Sequence, residues 1–96
     1  MTSPHPADPA GRVDRVGRLA KEAHRLEALA HDLRGSPHGD EPDLWAAGEA
    51  LRCAAALLRS RAPTVPTQQV PALLHDAVAL ARSSVEATKF ALRESS

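Results

Sequence analysis

Leucine recurs every seven residues early in the chain, at Leu19, Leu26 and Leu33, with Val16, Ala23 and Ala30 offset by three or four. This spacing puts all six side chains on one stripe of an α-helix and the charged residues between them on the opposite side. The pattern returns with Leu44, Leu51 and Leu58 beside Ala47 and Ala54. It returns again with Leu74, Val78, Ala81, Val85 and Leu92, next to Ala77 and Thr88. Each stripe reads as a seam for another helix, so these positions are expected to be the buried faces.

Helix stop and start signals separate the three segments. Asp8-Pro9 reads as an N-cap followed by a first helical residue, because proline has no amide hydrogen to lose there. Gly11 and Gly17 weaken the first turns by up to about 1 kcal/mol each relative to alanine. Gly35 is the expected closing residue, in the left-handed conformation, with Pro37 blocking continuation. Asp40 is the expected cap of the second helix, with Pro42 in its first turn and Asp43 imitating a capping box. Arg59 and Arg61 suit the negative end of that helix, and Pro63 and Pro66 end it. Thr67 is a candidate cap for the third helix, with Pro71 an alternative start.

The expected fold is therefore all-α: an up-down-up three-helix bundle with helices over about 9–34, 41–62 and 68–93. Residues 1–8, with Pro4 and Pro6 and little to bury, read as a disordered tail, leaving one domain over 9–96. The 96 residues include 19 Ala, 12 Leu and 6 Val but no Ile or Tyr, which favours helix and excludes an all-β fold. Alanine buries little area, so a core this rich in it is weak, and self-association would relieve the weakness. The second helix carries an apolar arc wider than one neighbour covers, running from Leu44 and Ala55 through Leu51 and Ala54 to Ala50 and Leu57.

Twelve basic and twelve acidic residues cancel, so no net field draws the chain to nucleic acid or an anionic membrane. Ten of the basic residues are Arg, which with the Ala excess marks a GC-rich bacterial coding sequence and says nothing of function. A single cysteine, Cys53, cannot pair within the chain, and the N-terminus lacks the apolar stretch of a secretory signal, so the expected compartment is the cytoplasm. The longest apolar run, Cys53–Leu58, is six residues, against about 20 for a membrane span.

Candidate chemistry is sparse. His24, Glu27 and His31 share one outward side of the first helix at i, i+3, i+7 spacing. The two histidines are then about 10.5 Å apart, too far for one zinc ion with bonds near 2 Å, so a solvated polar face is the reading and no metal or cofactor is expected. Cys53 has no local cue for a lowered thiol pKa, and no glycine-rich phosphate loop or nucleophile elbow occurs, so enzymatic activity is not expected. The densest basic segment is Arg12, Arg15, Arg18, Lys21 and Arg25, but Asp14 and Glu22 interrupt it with helical ion pairs. It carries the alternative of a DNA-associated regulator; a small helical enzyme ranks third.

The leading expectation is a non-enzymatic helical protein that acts by binding protein, as a homodimer or with another partner. The two aromatics, Trp45 and Phe90, fall outside the apolar stripes, about 120° from Leu51 and about 160° from Leu74. In an up-down-up bundle both rings lie toward one end, so Leu44, Trp45, Ala87 and Phe90 form the expected partner-binding patch.

Overall fold

The computed structural model describes the backbone of residues 9–62 and 64–95, with side chains described from Gly17 onward. The expected tail at 1–8 lies outside the described residues. Three helices follow in order: α1 (Pro9–Arg34), α2 (Pro42–Arg59) and α3 (Val70–Ser95), the last entered through a single 3-10 turn at Thr67–Gln69. No strand occurs among the described residues. The protein is an all-α, up-down-up three-helix bundle.

The ends differ from expectation in instructive ways. Gly35 does not take the left-handed conformation; no described residue has a positive φ. Its N–H still bonds the His31 carbonyl at 3.1 Å, so the helical ladder simply runs out there. The chain then turns through Ser36, whose N–H and hydroxyl both donate to the Leu33 carbonyl at 3.2 and 2.8 Å, and through Gly39, whose N–H donates to Ser36. Gly39 is the residue that lies against the end of α1, with a β-carbon direction aimed at the Leu33 and Arg34 carbonyl oxygens. A glycine is needed because backbone approaches backbone, not because φ is positive.

Glu41, rather than Asp40, is the N-cap of α2, in extended conformation and with no side-chain capping bond. The carboxylate that serves this end is Asp43, which accepts the Leu44 N–H at 2.9 Å. At the other end α2 stops at Arg59 instead of reaching Ala62. The N–H groups of Arg61 and Ala62 bond three residues back, to Leu58 and Arg59. The residue before a proline is pushed out of the helical region, so Pro63 loosens the chain ahead of itself.

α2 is the middle helix and packs against both neighbours, while among the described residues no Cα of α1 comes within 8 Å of any Cα of α3. Contacts across α1 and α2 pair Glu27 with Arg59 and Arg34 with Glu49, a falling register that makes the helices antiparallel. The Ser84 hydroxyl donates to the Ala46 carbonyl at 2.9 Å and sets the level of α3 against α2.

Among the described residues the buried side chains are Ala23, Ala30, Ala46, Ala55, Ala56, Ala62 and Ala77 together with Glu49, and no large side chain is wholly buried. Small side chains let the axes approach closely, but each contributes a fraction of the roughly 1.5–3 kcal/mol that a fully buried leucine would. The large aliphatic groups lie along the flanks of the seams instead.

Candidate interaction surface

α3 buries a different face from the one its strongest apolar stripe marks. Toward α2 it turns Leu73, Ala77, Leu80, Ser84, Ala87 and Ala91, a row of four-and-three spacing in which only Ala77 is fully buried and the others are half-buried. The stripe expected to be the seam is displaced from this row by about 110° around the helix axis. Leu74, Val78 and Val85 are 43, 50 and 51% exposed, Leu92 is 68% exposed, and Ala81 is exposed as well. The reason is in the partner: α2 presents small residues, Ala46 and Ala56 among them, so the closest packing is reached by the alanine-containing row of α3 rather than by its valines.

α2 behaves in a related way. One row, with Gly48 and Ala55, lies under α1, where an added β-carbon on Gly48 would meet the Ala30 carbonyl oxygen at 4.0 Å. A second row, Ala46, Glu49, Cys53 and Ala56, is turned by about 130° toward α3. The remainder of the wide apolar arc is not covered by either neighbour: Ala47, Ala50 and Leu57 are exposed and Ala54 is half-buried. Two neighbours are too few because they sit on adjacent rows, both away from this arc.

The uncovered positions of α2 and α3 lie on one side of the helix pair. From the α3-facing row of α2, the Ala47, Ala50, Ala54 and Leu57 positions are displaced by about 100° in the sense of increasing helical angle, as is the Leu74 stripe of α3 from its own seam. In antiparallel helices equal angular senses turn toward the same side of the pair. At the far end of this side, Pro42 and Asp43 border the same groove as Thr88 and Leu92.

The opposite side holds the ion pairs. Glu27 takes Arg59 in a two-pronged contact, Nε to Oε2 at 2.8 Å and Nη2 to Oε1. The hydrogen-bonded Glu27 carboxylate raises the Arg59 pKa above its ordinary value, outweighing the desolvation that acts in the other direction. Glu27 thus faces α2, not outward with His24 and His31, both of which are exposed. Glu49, only 6% exposed, receives Arg34 at 3.3 Å and Arg52 at 3.4 Å on one oxygen. Neither cross-helix pair is visible in the helical spacing, since each joins residues far apart in sequence.

The expected end patch is placed as follows. Trp45 is 42% exposed, with the Arg34 guanidinium 5.2 Å from its ring centroid, and borders a cleft with Ala30, Leu33, Gly39 and half-buried Leu44. Phe90 is 50% exposed, with Arg93 at 5.7 Å, and borders another groove with Pro37, Asp40, Pro42 and Glu94. Ala87 belongs to the α2-facing row. The two rings share the loop end of the molecule but line different grooves.

Of the basic segment, Arg12 and Arg15 have side chains outside the described residues. Arg18, Lys21 and Arg25 are exposed, and Arg25 is held by Glu22 at 3.2 Å. Cys53 is a half-buried free thiol. Among the described residues, no cluster of three His, Cys, Asp or Glu side chains could hold a metal ion, and no helix is long and apolar enough to cross a membrane.

Comparison with protein-family models, with curated proteins and with solved structures gives no match. The fold and surface define an all-α bundle with an alanine interior and an apolar outer face on α2 and α3.

Proposed function

We propose that this protein is a non-enzymatic interaction module that acts by binding protein, self-association first, through the outer face of α2 and α3. The observation that carries the reading is the inversion of side-chain size. The interior holds alanines and one glutamate, while Leu57, Leu74, Val78 and Val85 stand about half exposed on one side of a packed helix pair. A contiguous apolar area of this kind is what protein-binding surfaces present. A reducing cytoplasmic setting fits a chain with one unpaired thiol.

Sedimentation velocity from 1 to 200 µM tests the reading, with Val78→Glu/Val85→Glu as the comparison. The native chain should sediment above its 10.2 kDa monomer mass, and the variant should remain monomeric with the same helical circular dichroism. A native chain that stays monomeric at every concentration, and binds no protein that the variant fails to bind, would refute it.

A further inference from the structure

We propose that the outer face is covered by a second copy of this chain, with α3 of each copy seated against α2 of the other in a two-fold four-helix bundle. The proposal rests on the reading of that face as a contact surface and adds the identity and geometry of the occupant.

Shape comes first. On one side of the α2/α3 pair, α3 offers a ridge of Leu74, Val78 and Val85, and α2 offers a trough of Ala47, Ala50 and Ala54. Ridge and trough are parallel neighbours on a single face. A two-fold axis running along the helices, between them and just above the face, sets each ridge into the other copy's trough. Every adjacent pair in the resulting square is antiparallel, which is the arrangement of up-down four-helix bundles.

Charge selects this pairing over the obvious alternative. The outer border of the α3 ridge carries His75, Arg82 and Lys89, all exposed, with Lys89 paired to Glu86 at 3.3 Å and Arg82 as its fixed charge. Laying α3 antiparallel on α3 would bring these borders together, with Arg82 near Arg82, a like-charge contact. Placing α3 over α2 puts the two α3 helices on the diagonal. An axis parallel to the helices leaves every residue at its own level, and the Ser84–Ala46 bond puts Lys89 level with Glu41. Lys89 of the second copy, which pairs with Glu86 in its own chain, then arrives beside exposed Asp43 and beside Glu41, whose carboxylate His38 approaches at 3.0 Å.

The area reaches the lower end of the range for stable interfaces, about 1,200 Å² in total. At roughly 90 Å² for each half-exposed aliphatic side chain, plus the exposed alanines, the face offers on the order of 600 Å² per copy, against about 800 Å² per partner in a standard stable interface. A second copy is present whenever the chain is made.

The test combines mass with cross-linking in a Cys53→Ser background. Ala50→Cys and Ala81→Cys chains, carrying tags of different mass, are mixed and oxidised; these positions are level and face each other across the proposed interface. The mixed disulfide should exceed either self-linked product at least tenfold. Arg82→Cys chains, whose thiols point outward on the diagonal, should not link. Val78→Glu/Val85→Glu should weaken the dimer at least 100-fold, and Leu29→Glu on α1 should leave it unchanged. A dimer that links through Arg82→Cys, or that Leu29→Glu dissociates, overturns this geometry while leaving self-association standing. A native chain that is monomeric at 200 µM overturns the second copy as occupant.

Discussion

Replacing Gly39 with alanine separates the helix ending seen in the structure from the one its sequence suggests. A β-carbon built on Gly39 would stand 2.7 Å from the Leu33 carbonyl oxygen, 2.9 Å from the Arg34 carbonyl carbon and closer still to the Arg34 oxygen. All are backbone atoms at the end of α1, so nothing flexible can give way, and the turn must move by roughly half an ångström or more. Overpacking of this kind costs about 1–3 kcal/mol. The reduced freedom of the unfolded chain returns about 0.4–1 kcal/mol. The net expectation is a loss of about 1–2 kcal/mol, or a fall in Tm of roughly 5–15 °C for a domain of this size. Gly35→Ala is the matched control. Its nearest neighbours are the His31 and Asp32 oxygens at 3.7 and 3.9 Å, ordinary contact distances, and its backbone is right-handed. It should be neutral or stabilising by up to about 1 kcal/mol. Thermal and urea denaturation followed at 222 nm, at one fixed protein concentration, give both numbers. A costly Gly35→Ala beside a harmless Gly39→Ala would show that α1 ends in a left-handed glycine after all.

Gly17 has nothing within 4 Å of its would-be β-carbon, so Gly17→Ala should stabilise by about 0.5–1 kcal/mol in the same assay, and a destabilisation would mean that α1 is more crowded there than described. Arg59→Lys keeps the charge but loses the two-pronged grip on Glu27, and should cost about 0.5–1 kcal/mol; a cost no greater than that of Arg61→Lys would reduce the pair to an ordinary surface contact. Because Glu27 raises the Arg59 pKa, that contribution is whole below the unfolded guanidinium value and is lost only as pH climbs past the folded one, so a double-mutant cycle on the pair should read the same at pH 7 and pH 10. Glu49 is buried and held only by long contacts to two half-exposed arginines, a geometry in which an apolar side chain of similar length replaces a buried charge at no net loss. Glu49→Met should stabilise by about 1 kcal/mol, and a loss of more than 2 kcal/mol would assign the pairing a larger share.

Helix existence, order and fold class were legible in local pattern, because leucine spacing and proline punctuation act within one turn of the residues that carry them. Pro9 and Arg34 bound α1 as the pattern predicts, whereas α3 runs from Val70 to Ser95 rather than over 68–93, because the chain first makes a 3-10 turn at Thr67–Gln69 whose N-cap is Pro66 and not Thr67. Which stripe of α3 would be buried was not legible. Its two apolar rows, one through Leu73 and Leu80 and one through Leu74 and Val78, both satisfy helical periodicity, and hydrophobicity alone favours the wrong one. The choice belonged to α2, whose alanines reward the row that lets the backbones approach most closely. Glu27 with Arg59, and Glu49 with Arg34, were invisible for the same reason: they are separated by 32 and 15 residues and meet only once the register between helices is set. Gly39 marked itself no more strongly than Gly35 in the sequence, since the atoms that exclude its β-carbon belong to a helix end five and six residues earlier. Local chemistry determined the helices of this protein, and the contact between their surfaces decided which leucines and valines were left outside.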